Sequence, residues 1–193
     1  MKTILLLIMS TILLTLSINA QTTYTVDGGH SSIVFSIGYK FSEFYGSFGE
    51  MEGKAVMEDE NDFSTAKVDF SVQIASINTN SKRRDGHLQS ERYLNQENFA
   101  QATFKSIHIK SLANDKYEMT GELTIAGKTL SQTVDVKILG KGEIGKGNEV
   151  SSIMGVKATF SFNRSNFGIM GGIPTMSDKV DIVVSLHMIK EGS

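Results

Sequence analysis

The sequence predicts an all-β, single-domain protein: one extended antiparallel β-barrel of about eight strands with a short helix-and-loop excursion. Three observations carry this prediction. Apolar and polar residues alternate with period two over most of the chain, turn-like pairs join the alternating runs, and one polar stretch breaks the rhythm. Such alternation builds strands with one apolar and one solvated face. Closing the sheet removes the exposed edges that invite aggregation.

The first segment stands apart from the fold. Met1-Lys2-Thr3 is a short positive region, Ile4 to Leu16 is almost wholly apolar, and Ser17-Ile18-Asn19-Ala20 offers a small residue before Gln21. This pattern predicts a cleavable signal peptide over residues 1–20, a barrel domain over 21–193, and export from the cytoplasm. The apolar run is shorter than the ~20 residues of a spanning helix, so a soluble rather than membrane-spanning protein is expected. No cysteine follows the run, which excludes a lipoprotein anchor.

In chain order, Ile33, Phe35, Ile37 and Tyr39 form the first apolar face, and Val68, Phe70, Val72 and Ile74 the next. Tyr117, Met119, Leu123 and Ile125 follow, then Val134, Val136 and Ile138. Met154, Val156, Ala158, Phe160 and Phe162 precede a final run of Val180, Ile182, Val184, Leu186 and Met188. Asn114-Asp115 and Ala126-Gly127-Lys128 read as hairpin turns, and Gly140 to Gly147 as a glycine-rich loop. Ser81 to Phe99 is the polar excursion, a short helix with Ser81 as N-cap and Gly86 weakening it. A second irregular stretch, Arg164 to Ser177, holds three glycines and the chain's one proline, Pro174. Two excursions on a barrel are candidates for a lid or a mouth.

Composition narrows the chemistry. Without cysteine there is no disulfide, thiolate or iron–sulfur chemistry. A net charge of −2, or −3 once Lys2 is removed, and no large basic run argue against nucleic acid as a partner. His30, His87, His108 and His187 lack paired ligand spacing, so neither metal nor cofactor is expected. His87 beside Asp85, with Ser90 nearby, is the best hydrolase constellation, but no nucleophile-elbow pattern surrounds Ser90. The expectation is therefore no enzyme. Lys82-Arg83-Arg84 is the sharpest charged cluster, readable as a solvated helix face or as an anion site.

Several spaced motifs together resemble the YceI-like family. Asp27, His30-Ser31-Ser32 and Phe35 come first, then Gly46-Ser47-Phe48 with Gly53. Ser76-Ile77-Asn78-Thr79 with Arg84-Asp85-Gly86-His87-Leu88 is the most specific block. Phe104-Lys105-Ser106, Gly121 to Gly127, Arg164 to Ile169 and Ser177-Asp178 complete the series over essentially the whole mature chain. Tyr24 stands where the family usually has tryptophan and Tyr39 where it usually has histidine; both keep an aromatic body with a polar tip.

The resemblance implies a lipocalin-like barrel holding an isoprenoid or other long-chain lipid: a quinone tail, a prenyl phosphate, or a fatty acid or amide. Its role would be transport, storage or sequestration, with a homodimer allowed. From the residues alone, the apolar stripes fit a solid core in a secreted binding or adhesion module at least as well. The ligand-lining candidates by strand parity are Phe35, Ile37, Tyr39, Phe48, Phe70, Val72, Met119, Phe160 and Val184, with Phe167 near the mouth. Arg83 and Arg84 are the headgroup candidates. A one-residue register error would turn a whole set outward.

Overall fold

Alternating residues become eleven strand segments in the computed structural model, which describes residues 21–147 and 149–192. The expected signal peptide lies outside the described residues. The strands are β1 (Thr22–Val26), β2 (Ser32–Tyr39), β3 (Ser42–Phe48), β4 (Met51–Met57), β5 (Lys67–Gln73) and β6 (Ile77–Asn78). Then come α1 (Lys82–Gln89), β7 (Gln101–Ser111), β8 (Lys116–Ile125), β9 (Lys128–Lys146), β10 (Glu149–Asn163) and β11 (Met176–Lys190).

All pairings are antiparallel, and the sheet closes. The order β1-β4-β5-β7-β8-β9-β10-β11 returns to β1 through the pairs Tyr24↔Lys190 and Val26↔Met188, giving an eight-stranded barrel. β2, β3 and β6 extend the wall beyond β11. β1 and β2 pair with successive parts of β11, so they act as one long strand bent at Asp27–Ser31. His187 anchors that bend: its carbonyl accepts from the Asp27 N–H at 2.9 Å, and its N–H donates to Ser31 Oγ at 3.0 Å.

The hairpin turns follow their sequence signals. Ala126 and Gly127, with φ of 48° and 77°, form a tight two-residue hairpin between Ile125 and Lys128, while Asn114 and Asp115, at 59° and 57°, belong to a three-residue turn between Leu112 and Lys116. The Gly140–Gly147 stretch differs from the expected loop, because β9 runs through it and pairs Gly140 with Gly155 and Gly145 with Val150. Glycines show no apolar face, so alternation cannot reveal a strand there. β5 stops at Gln73, and buried Ile74 opens a 3-10 turn.

Register irregularities rearrange the faces on β7 and β9, and a third separates Met176↔Tyr39 from Val180↔Ile37 on β11. Opposite β8, Ser106 pairs with Gly121 and His108 with Thr120, leaving Ile107 as the extra residue. Phe104 and Ile109 therefore both point inward although one is even and the other odd, and Ile107 is 68 % exposed. Leu139 is the corresponding extra residue of β9, between Ile138↔Val156 and Gly140↔Gly155.

The polar excursion is held by one buried residue. Thr79 donates from its N–H to Asp85 Oδ1 at 2.8 Å and from its hydroxyl to the same atom at 2.6 Å. Arg84 Nε donates to Thr79 Oγ1 at 2.7 Å, its Nη2 to the Thr79 carbonyl, and its guanidinium lies 4.6 Å from the Phe44 ring centre. Ser81 is the N-cap, accepting from the Arg84 N–H. No helix among the described residues is long and apolar enough to cross a membrane.

Candidate functional site

Inward-facing side chains do not fill the barrel. They enclose a cavity of about 220 Å³ lined by residues from β1 to β11 and from the excursion after β6. The lining is aliphatic and aromatic save for Lys54, Asp69, Thr103 and Arg164. Along β11 it runs from Met176 through Val180, Ile182, Val184 and Leu186 to Met188. The eight steps from Val180 to Met188 span roughly 26 Å at ~3.3 Å each, or ~20 Å along the axis of a barrel tilted ~40°. The lumen is thus long and narrow.

One end is sealed. The β4–β5 connection folds Phe63 over it, edge-to-face with Tyr117 at 5.3 Å between ring centres. Tyr24 is fully buried there and donates to Glu60 Oε1 at 2.9 Å, while Lys190 Nζ donates to Glu60 Oε2 at 2.7 Å. Lys141 Nζ reaches the Glu60 carbonyl. Burial, then the Glu60 bond, pushes the Tyr24 phenol up to about 12. The Lys190 hydrogen bond, then that of Tyr24, holds Glu60 below the usual carboxylate range.

The opposite end is built from the excursions. Phe44 of β3, Leu88 of α1, Tyr93 and Leu94 after it, and Ile169 and Met176 around the 164–176 segment all line the lumen there. The organiser is Arg164, only 4 % exposed. Its Nε donates to the Ser177 carbonyl at 2.9 Å, its Nη1 to those of Ile169 at 3.0 Å and Gly171 at 2.6 Å, and its Nη2 to that of Met176 at 3.5 Å. Burial lowers the guanidinium's proton affinity, and the charge of Asp178 opposes the shift. Asp178 itself caps the adjoining turn, accepting from the Ser165 hydroxyl at 2.6 Å and N–H at 2.8 Å, which holds its carboxyl below the ordinary value.

Phe35, Ile37, Phe48, Phe70, Val72, Met119, Phe160 and Val184 all lie on the cavity wall. Tyr39 does not: it shares their parity, but β2 ends there and the ring is 42 % exposed outside the lumen. Phe167 is buried outside the cavity wall, edge-on to Phe162 at 5.3 Å. Of the headgroup candidates, Arg83 is exposed, and Arg84 is engaged by Thr79 and Phe44 rather than turned into the lumen. The hydrolase constellation is not assembled. Ser90 Oγ donates to the backbone carbonyl of His87, and Asp85 Oδ1 accepts from Thr79. Leu88, Tyr93 and Leu94 escaped a reading based on strand parity; their apolarity within a polar stretch was the available signal.

Comparison with known proteins agrees with this architecture. The YceI-like domain matches residues 24–188. A UPF0312 protein of Pectobacterium carotovorum subsp. carotovorum is 30 % identical over 173 residues, covering 89 % of this chain and 88 % of that protein. The crystal structure of Burkholderia cenocepacia BcnA superposes with a TM-score of 0.72 at 22 % identity, covering 84 % of this chain and 98 % of the other. A polyisoprenoid binding domain from Saccharophagus degradans, implicated in plant cell wall breakdown, gives 0.62 at 14 % identity, covering 86 % and 97 %. The likeness to these two structures is one of fold.

Proposed function

We propose that this chain, which belongs to the YceI-like domain family, is an exported carrier that holds the apolar tail of a long-chain lipid inside its barrel and catalyses nothing. The observation that carries the reading is the closed barrel around a long cavity with an almost wholly apolar wall. A solid-core module has no use for such a void, because the wall atoms forfeit contacts on one side. The polyisoprenoid binding domain of the same fold adds support for an isoprenoid tail, as of a quinone or prenyl phosphate, ahead of a fatty acid or amide.

Magnitudes decide what the lumen must do to accept such a tail. An apolar cavity of ~150 Å³ takes a benzene ring, so 220 Å³ takes about nine carbons as it stands. Nine carbons gain roughly 7 kcal/mol gross at ~0.8 each, against an association cost of ~4–15 kcal/mol. A tight complex therefore needs a longer chain, and the lumen must widen along its length. Met119, Met176 and Met188 on the wall are unbranched and adapt to such a change.

The signal-like first twenty residues support export, to the periplasm or beyond the cell, and transport, storage or sequestration is the role that fits a lipid-holding barrel. Native mass spectrometry of the protein purified from its own cell envelope, followed by organic extraction, tests the reading. A stoichiometric adduct that extracts as a prenyl or acyl lipid is the expected result. A clean apo mass that does not shift with quinones, prenyl phosphates or fatty acids overturns it.

A further inference from the structure

A single exposed apolar residue is ordinary, but a contiguous exposed patch marks an interaction site, and Phe41 is fully exposed at the apex of the turn between β2 and β3. It is not isolated. Tyr39 flanks it, and the Lys40 N–H donates to the Thr175 carbonyl at 3.1 Å, which ties the hairpin tip to the 168–175 segment. That segment presents Met170 and Ile173 to solvent. It also belongs to the end of the lumen opposite Phe63: Gly171 abuts the ring of Tyr93, Gly172 abuts Met176, and both Tyr93 and Met176 line the cavity. An apolar crest thus crowns the mouth.

Exposed cations border the crest. Lys40 sits beside Phe41, and α1 starts with exposed Lys82 and Arg83 next to Arg84, which is stacked on Phe44 of β3, three residues after Phe41. Over residues 81–99 the chain carries four arginines and lysines against three acids, +1, while the whole chain is −2. Asp85 is turned in toward Thr79, and exposed Glu43 of β3, the acid at the hairpin tip, accepts from the Tyr45 hydroxyl at 2.9 Å. Aromatic and aliphatic side chains that can sink among acyl chains, beside lysines and arginines that can meet lipid phosphates, form the pattern of an interfacial anchor.

We propose that this rim docks on an anionic phospholipid surface: Phe41, with Met170 and Ile173, enters the headgroup region while Lys40, Lys82 and Arg83 face the phosphates. In that pose the mouth opens onto the bilayer, and an apolar tail passes between membrane and lumen without crossing water. This purpose rests on the lipid reading above; the docking itself is measurable without it.

Sedimentation of the delipidated mature protein with vesicles of equal parts phosphatidylglycerol and phosphatidylcholine tests the proposal, with phosphatidylcholine vesicles as the comparison. The expected result is partition to the anionic vesicles that weakens with salt. Phe41→Asp, at a residue outside the cavity wall, lowers partition about ten-fold or more, the scale of one phenylalanine withdrawn from the interface. Lys40→Gln and Lys82→Gln each lower it about five-fold. Circular dichroism and native mass spectrometry of lipid held in the lumen accompany each variant. Partition that persists while the lumen takes no lipid upholds docking and removes the carrier reading alone. Lipid in the lumen with no partition, or partition indifferent to Phe41→Asp, overturns docking and leaves the carrier reading standing. A crest that instead joins two copies, with Phe41→Asp yielding monomers and no vesicle partition, also overturns it.

Discussion

Replacing Ala158 by leucine separates a cavity from a core by the sign of one number. Ala158 stands on β10 between Val136 of β9 and Val184 of β11, and all three line the lumen. Leucine adds three carbons, worth about 2.4 kcal/mol gross at ~0.8 each. Fixing its rotamer costs ~0.5–1 kcal/mol, leaving a gain of roughly 1.5–2. The ceiling is set by the void: at ~24 cal/mol per Å³, a cavity of 220 Å³ forgoes about 5 kcal/mol, so one leucine recovers only part. In a filled core the same three carbons force neighbours off their rotamers and cost ~1–3 kcal/mol. Urea unfolding of the delipidated protein, followed by far-ultraviolet circular dichroism, reads the difference. With a slope of ~2 kcal/mol per molar, the midpoint is expected to rise by roughly 0.8–1 M at unchanged slope, while binding of a long-chain lipid weakens. A midpoint that falls by a similar amount, with lipid binding intact, refutes the cavity.

Arg164→Met leaves the carbonyls of Ile169, Gly171 and Ser177 without their donor, an expected loss on the order of 3 kcal/mol in urea unfolding, with Arg164→Lys intermediate. Gly121→Ala and Gly46→Ala should differ sharply. A Cβ at Gly121 falls 2.3 Å from the Lys105 carbonyl oxygen, whereas at Gly46 it falls 2.2 Å from Cζ of Phe35. Backbone opposite a bulge cannot yield, but a ring facing a void can. Gly121→Ala is therefore expected to cost about 3 kcal/mol or more and Gly46→Ala about 1 while narrowing the lumen; the reverse order of urea midpoints contradicts this. Glu60, held below its ordinary range by Lys190 and Tyr24, contributes stability present above its unfolded pKa and lost as pH falls through the lower folded value. The urea-midpoint advantage of wild type over Glu60→Gln should thus be full at neutral pH and vanish in strong acid. Tyr24 works at the other limit: its contribution is complete below the unfolded value of 10 and is lost as pH rises through about 12.

Strand parity was legible because one residue's direction follows from its neighbours. Ile33, Phe35 and Ile37, or Val180 to Met188, face inward as their alternation requires, and Ser81 caps α1 as its position before Lys82-Arg83-Arg84 suggested. Parity misleads where the ladder gains a residue or ends. Ile107 and Ile109 are indistinguishable in sequence, yet the bulge leaves one exposed and the other 5 % exposed. Tyr39 fails for the second reason, as the last residue of β2.

The sequence by itself determined the fold class, the inward and outward faces wherever the ladder is unbroken, and the family to which the chain belongs, because each rests on local periodicity or on residues in order. Only the tertiary structure decided that the barrel is hollow. The same apolar stripes would line a cavity or fill a core, and the outcome depends on side-chain volumes summed across strands that are distant in sequence. It also decided that Arg164 fastens the 164–177 segment through four backbone carbonyls, and that Arg84 serves Thr79 rather than the lumen. Backbone carbonyls carry no sequence signature, so a buried guanidinium's partners become visible only once the chain has folded around it.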